Sequence, residues 1–137
     1  MNRTRRALLL LALLSPTLLG GCLTNPYGEV PEKLALRVRL FEDVVRWGAL
    51  QKMYVFLKHA DGEPVEIPEG LENVRVTGYE LAEPINEIGP FRWRQAAVID
   101  YVLTDRQVVR QIVDLQIWES EDNGITWYRT TPVPEFR

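Results

Sequence analysis

The sequence has few residues of the kinds that bind metals or act as nucleophiles. Its 137 residues include one histidine, His59, and one cysteine, Cys22. Ser120 is the only serine after residue 21, and it falls in a predicted turn. Zinc and iron sites require several histidine, cysteine or clustered carboxylate ligands, and a nucleophile requires a base beside it. We therefore predict that the chain binds no metal and no cofactor.

Clusters of basic residues are also missing. The chain has 16 Lys and Arg against 19 Asp and Glu, which gives a net charge of −3. Residues 1–21 hold three of the basic residues and none of the acidic ones, so the remainder carries −6. Because nucleic acids attract clustered Lys and Arg, we expect no nucleic-acid partner.

The first 22 residues have the three parts of an export signal. A basic head with Arg3, Arg5 and Arg6 precedes an apolar run over residues 7–19, and two glycines precede Cys22. A membrane-spanning helix needs about 20 apolar residues, whereas this run is shorter and contains a proline and two polar residues. The run therefore predicts a cleaved signal rather than a permanent span.

The four residues Leu19-Gly20-Gly21-Cys22 resemble the bacterial lipobox, in which the cysteine thiol takes a diacylglycerol before cleavage. The resemblance implies a signal peptide over residues 1–21, lipidation of Cys22, and a tether over residues 22–30. The alternative is an ordinary signal followed by a free thiol, which would have no disulfide partner in an oxidising compartment. Two or three acyl chains make membrane attachment stable, because each buried CH₂ contributes about 0.8 kcal/mol.

The residue after the predicted acylation site indicates a location. Position 23 is Leu, whereas an aspartate there would resemble an inner-membrane retention signal. We therefore expect a lipid-anchored protein of the bacterial cell envelope, on the outer membrane and facing the periplasm.

Residues 31–137 have the length of one domain, and their periodicity changes from helical to strand-like. Apolar spacings of three and four predict a helix with Trp47 on its buried side, a break at Gly48, and a second helix over residues 50–58. A loop over residues 60–73 follows, with Ile67 and Leu71 expected to touch the core. Segments rich in β-branched and aromatic residues predict four antiparallel strands, over residues 74–81, 91–104, 107–119 and 125–130.

The hairpin between the second and third strands has a predicted register. A three-residue loop places Tyr101 opposite Val109 on a mainly apolar face, which we expect to turn toward the core. The same register places Asp100 opposite Arg110 on a more polar face, where opposite charges stabilise the pairing. That polar face includes two further residues, Asp114 and Trp118.

The order of two helices, a loop and a four-stranded meander resembles the nuclear transport factor 2-like, or cystatin-like, fold. Residues 41–50, an amphipathic helix that ends at a Trp-Gly corner, look like the start of many such domains. A second set of residues resembles the last two strands of a group of small uncharacterised proteobacterial lipoproteins: Asp114, Gln116, Trp118, Gly124, Trp127 and Tyr128. The resemblance implies an α+β domain in which helices pack on a curved antiparallel sheet.

Candidate site residues lie on the central hairpin. Enzymes that resemble this fold, such as ketosteroid isomerase, use carboxylates and tyrosines between sheet and helices, and Asp100, Asp114 and Tyr101 are the candidates here. Because both carboxylates share a face with Arg110, a salt-bridged or solvated surface is the simpler interpretation. Trp118 on that face is a candidate partner-binding residue.

We therefore predict a membrane-anchored periplasmic lipoprotein whose domain is a non-enzymatic binding or assembly module with a protein partner in the envelope. One alternative is a carrier of a small apolar ligand in the cone between helices and sheet. Another is a ketosteroid-isomerase-like or cyclase-like enzyme that uses Asp100 or Asp114. A filled interior would favour the binding or assembly module, and an empty apolar cone would favour the carrier. An unpaired carboxylate in a pocket would favour the enzyme.

Overall fold

The computed structural model describes residues 29–59 and 63–137. Cys22, the predicted signal and most of the predicted tether lie outside these residues. The elements are α1 (Glu32–Trp47), a 3₁₀ helix (Leu50–Phe56), a 3₁₀ turn (Leu71–Asn73), β1 (Val74–Gly89), β2 (Arg92–Leu103), β3 (Val108–Glu119) and β4 (Tyr128–Arg129). The strands form one antiparallel sheet in the order β1-β2-β3-β4. The predicted α+β class and the four-stranded meander are confirmed.

The helical part begins and ends close to the predicted residues. Pro31 immediately precedes α1, while Glu32 in the first turn and Arg46 in the last turn complement the helix dipole. The predicted break at Gly48 is confirmed. The chain then forms a 3₁₀ helix, which is tighter than the second α-helix that we predicted. In the part of the chain that the structure describes, no helix is long and apolar enough to cross a membrane.

The helix α1 packs on the sheet through one stripe of residues, Leu34, Phe41 and Val45. Trp47 is 82% exposed, so the prediction that it closes the helix onto the sheet is wrong. Successive residues turn by about 100° around a helix, and two steps beyond Val45 place Trp47 on the opposite side.

Three aromatic rings form the centre of the core. Phe41 of α1, Phe56 of the 3₁₀ helix and Trp118 of β3 meet edge to face, with ring centroids 5.3, 5.7 and 6.2 Å apart. All three are buried. Because each ring comes from a different element, this cluster joins both helical segments to the sheet.

The turn between β2 and β3 has four residues, 104–107, instead of the three that we predicted. Gln107 has a φ of 54°, in the left-handed region that tight turns use. The register is therefore shifted by one residue, and Tyr101 lies opposite Arg110 rather than Val109. Because side chains alternate along a strand, this shift exchanges the two faces of β3.

The exchange of faces overturns the predicted position of Trp118, which is fully buried rather than on an open polar face. Trp118 lies opposite Trp93 on the side of the sheet that α1 covers. The predicted pairing of Asp100 with Arg110 is also wrong, because Asp100 lies opposite Gln111. The shifted register places the large rings inside, where they bury the most apolar area, and leaves smaller aliphatic residues outside.

The segments flanking the strands complete the inner side of the sheet. Leu71 is buried as predicted, whereas Ile67 is exposed. The residues after β4 fold back over the inner side, where Val133 is buried and the ring of Phe136 meets that of Tyr101 edge to face at 5.0 Å. The hydroxyl of Tyr101 donates to the carbonyl of Arg137 at 3.1 Å.

Substitutions at Phe41 and Trp47 test which side of α1 faces the sheet. We expect Phe41→Ala to lower the free energy of unfolding by about 3–5 kcal/mol, because it removes a buried ring from the aromatic cluster. Trp47→Ala should change it by less than about 0.5 kcal/mol, because the side chain is solvated. Chemical denaturation of both variants measures this difference. Equal losses, or a larger loss for Trp47→Ala, would contradict the packing described here.

Candidate functional site

A buried ion pair lies between the sheet and the helices. Asp114 of β3 is 2% exposed and Arg129 of β4 is 0% exposed. The guanidinium donates to both carboxylate oxygens, with Nη1 2.9 Å from Oδ2. Such a fork satisfies both charged groups in a medium where an isolated charge would be very costly.

The guanidinium of Arg129 also makes contacts beyond the carboxylate. Its Nε donates to the carbonyl of Thr131 at 3.0 Å, and Nη2 donates to the carbonyl of Pro132. Its Cζ lies 4.9 Å from the centroid of the Phe41 ring. The side chain of Arg129 is thus enclosed by β3, the chain after β4, and α1.

Gln116 extends this polar network across the sheet. Its amide nitrogen donates to Asp114 Oδ2 and to the hydroxyl of Tyr79, each at 2.8 Å. Its amide oxygen accepts from Gln95 at 2.8 Å and from the indole of Trp118 at 3.2 Å. All five side chains are buried, and each of them has a hydrogen-bond partner in the network.

The hydroxyl of Tyr79 has a shifted acidity. Burial, reinforced by the nearby carboxylates of Asp114 and Glu42, raises its pKa to about 12, although the hydrogen bond from Gln116 opposes the shift. Tyr79 therefore remains a neutral phenol through the physiological range. The polar network is a closed arrangement of one ion pair and neutral groups.

The structure separates the four candidate residues that the sequence placed on the polar face, and it brings Tyr101 of the apolar face beside two of them. Asp114 and Trp118 belong to the buried network, and Tyr101 lies beside them on the inner side under the returning chain. Arg110 is on the same side near the turn but exposed. Asp100 is on the opposite face, where its Oδ1 accepts from the Gln111 amide at 2.8 Å.

Sequence reasoning missed Arg129, which is the partner of Asp114. The available signal was that Asp114, Gln116 and Trp118 are two residues apart along β3 and therefore share one face. When that face is buried, the carboxylate of Asp114 needs a cation as its partner. The short β4 also has alternating burial, with Trp127 and Arg129 buried on either side of Tyr128. The pairing of Arg129 with Asp114 could therefore be inferred only once the strand register was known.

The face of the β2–β3 hairpin that points away from α1, here called the outer face, is a second candidate site. Its apolar members are Ala96, Val98, Val102, Val109, Val113, Leu115 and Ile117. Val109 and Val113 are 74% and 65% exposed, and Leu115 is also exposed. Several exposed apolar residues on one face, here divided by the Asp100–Gln111 pair, are typical of interaction sites.

The edge of β3 that faces β4 is paired with another strand over only a short stretch. In the described residues, β4 pairs with β3 only at Trp118 and Glu119. The carbonyl of Ile117 still accepts from Thr130 at 2.9 Å. By alternation, the backbone groups of Val109, Val113 and other odd-numbered residues point to the same edge, where an added strand would find hydrogen-bond partners.

A third candidate site is an open groove of about 840 Å³ at the end of the sheet where α1 begins. Glu29, Glu87, Phe91, Trp93 and Trp127 contribute to its walls. It lies between the turn that joins β1 to β2 and the connection from β3 to β4.

The β3–β4 connection beside this groove is held by hydrogen bonds to the carboxylate of Asp122. Asp122 Oδ1 accepts from the amides of Thr126 at 2.7 Å and Ile125 at 3.1 Å, and from the hydroxyl of Ser120 at 2.8 Å. These hydrogen bonds, those from Thr126 foremost, lower the pKa of Asp122 to about 2. The carboxylate therefore stays ionised in its capping role at any ordinary pH.

The described residues include no group of three or more His, Cys, Asp or Glu side chains placed to bind a metal ion. Comparisons of this chain with family models, with curated proteins and with solved structures find no match. The geometry of the chain itself is therefore the basis for the functional argument.

Substitution of Asp114 tests the buried ion pair. We expect Asp114→Asn to lower the free energy of unfolding by about 3–5 kcal/mol, because it leaves the Arg129 guanidinium buried without its counterion. Asp100→Asn is the matched control on the outer face, where an asparagine still accepts from Gln111, and its cost should be below about 1 kcal/mol. Denaturant titration compares the two. Similar stabilities for both variants would show that the ion pair does not hold the interior together.

Proposed function

We propose that this chain is a membrane-anchored periplasmic lipoprotein whose domain is a non-enzymatic binding or assembly module for a protein of the cell envelope. The observation that carries the proposal is the position of its apolar surface. Three exposed apolar residues, Val109, Val113 and Leu115, lie together on the outer face, while the space between α1 and the sheet is packed.

The packed interior favours a module over a carrier. The aromatic cluster of Phe41, Phe56 and Trp118 occupies the centre between helices and sheet. The Asp114–Arg129 network lies beside it. A carrier of a small apolar ligand needs an apolar cavity in that place, and these side chains fill it.

The arrangement of carboxylates also favours a module over a ketosteroid-isomerase-like or cyclase-like enzyme. A general base needs a free lone pair within reach of the substrate proton. Both oxygens of Asp114 accept from Arg129, and the residue is closed off from solvent. Asp100 is on the other face, away from any enclosed cone, and is hydrogen-bonded to Gln111.

The finer fold assignment is part of the same proposal. The element order, one helix and a 3₁₀ helix followed by a four-stranded meander, supports a nuclear transport factor 2-like, or cystatin-like, domain. Because this fold carries many unrelated functions, the assignment does not specify the partner.

The lipid anchor is tested through Cys22. We expect Cys22→Ala to abolish incorporation of a fatty-acid analogue and to leave an uncleaved or mislocalised precursor, because the thiol is the proposed acceptor of the diacylglycerol. Metabolic labelling and membrane fractionation of cells measure both effects. Equal labelling of the wild type and the variant would refute lipidation at this residue.

The outer face is tested with a photo-reactive amino acid in intact cells. Placed at Val113, it should cross-link to an envelope protein. At Val55, an equally exposed valine on the 3₁₀ helix, it should not. A charged substitution at the neighbouring Leu115 should remove the Val113 adduct while leaving the stability almost unchanged, because it acts on a solvated position. Equal adducts at both valines, or an adduct insensitive to Leu115→Lys, would contradict the proposed partner face.

A further inference from the structure

Exposed apolar residues stand at the end of the domain where the chain enters it. The apolar tip consists of Ile88 and Phe91 at the β1–β2 turn and Ile125 in the β3–β4 connection. Ile125 is 63% exposed and Phe91 is 44% exposed. The two connections touch, since the amide of Ser120 donates to the carbonyl of Phe91 at 3.1 Å. The tip is thus one surface built from two adjacent turns.

Phe91 has a backbone conformation that is unusual for its residue type. It occupies the second position of a two-residue turn, between the paired residues Gly89 and Arg92, with a φ of 53°. Turns that need a positive φ at this position normally use glycine or asparagine, and a bulky residue there is strained. Such strain is typically retained where the side chain has a function. Burial in the core does not account for it, because the residue is exposed.

The start of the described chain lies beside this tip. Glu29 and Pro31 line the same groove as Phe91 and Gly124. Only residues 23–28 separate Glu29 from Cys22, and the seven residue steps between them span at most about 25 Å. If Cys22 is acylated, as the proposed function holds, this end of the domain is held close to the bilayer. The turn at residues 104–107 lies at the opposite end of β2 from the tip, and each residue of that strand adds about 3.3 Å to the separation.

We infer that the apolar tip is a membrane-docking surface, with Phe91 and Ile125 contacting the lipid interface beside the anchor. The inference rests on the proposed acylation of Cys22. A short linker to an embedded anchor gives the tip a high effective concentration at the bilayer, so a small apolar contact is sufficient to orient the domain.

The position at which the chain enters the domain favours the apolar tip over the outer face as the membrane contact. The chain enters at the start of α1, which covers the inner side of the sheet, whereas Val109 and Val113 point away from α1. A domain that docks through the tip keeps the outer face free for a protein partner. The two surfaces then have separate roles on one anchored domain.

The contact is apolar rather than electrostatic. Glu29 and Glu87 line the groove beside the tip, and carboxylates do not attract anionic headgroups. The docking is therefore expected to persist at high ionic strength, where screening abolishes electrostatic attraction.

The test uses the mature acylated protein in vesicles of phosphatidylethanolamine and phosphatidylglycerol, with a fluorophore attached at Ile125→Cys. The control carries the same fluorophore at Val109→Cys, an exposed aliphatic position near the opposite end of the sheet. We expect a blue-shifted emission and several-fold stronger quenching by lipid-borne quenchers at position 125 than at position 109. Added salt should not change this difference. Phe91→Ser should weaken the quenching at position 125 without changing chemical denaturation, because it removes the neighbouring apolar contact.

The outcomes separate the docking surface from the anchor. Vesicle flotation of the unlabelled mature protein and of a Cys22→Ala chain that lacks residues 1–21 reports on the acyl anchor. Flotation that depends on Cys22, together with equal quenching at both positions, would overturn the docking surface and leave the lipoprotein proposal intact. Stronger quenching at position 109 would also overturn it and would place the outer face on the bilayer. Failure of the wild type to float would overturn the anchor and the docking surface together.

Discussion

Arg129 is the residue on which the rest of the domain depends. Its backbone pairs with Trp118 of β3 on one side and with Leu57, after the 3₁₀ helix, on the other. Its side chain pairs with Asp114 and lies over the ring of Phe41. Arg129 therefore joins α1, the end of the 3₁₀ helix and β3 through its backbone and side chain together. Its guanidinium also binds carbonyls of the chain after β4.

A buried ion pair is a poor source of net stability, because desolvation offsets much of the Coulomb attraction. Its value here is specificity. An inward Asp114 on β3 fixes which face of that strand is buried, since only the face that meets Arg129 satisfies the carboxylate. The network thus defines which side of the sheet forms the interior.

The two exposed apolar regions have different physical origins. The outer face has apolar residues because valine and leucine suit a strand on both of its sides, and none of the described elements covers that face. The apolar tip is apolar because Phe91 occupies a turn and Ile125 a connection, where polar residues and glycine are the usual choice, and because Ile88 ends the adjoining strand. These regions lie at different places on the domain, so the proposed membrane contact and the proposed partner contact do not compete for one surface.

The sequence by itself determined the elements that depend on local physics. Periodicity predicted the helix, Gly48 predicted its end, and the β-branched and aromatic composition predicted the four strands. The number of residues in the β2–β3 turn was not determined locally, because a three-residue and a four-residue loop both suit that segment. Only the tertiary structure decided it: burying Trp118 against Phe41 and pairing Asp114 with Arg129 stabilise one register. That choice moved the candidate residues Asp114 and Trp118 from the surface into the core.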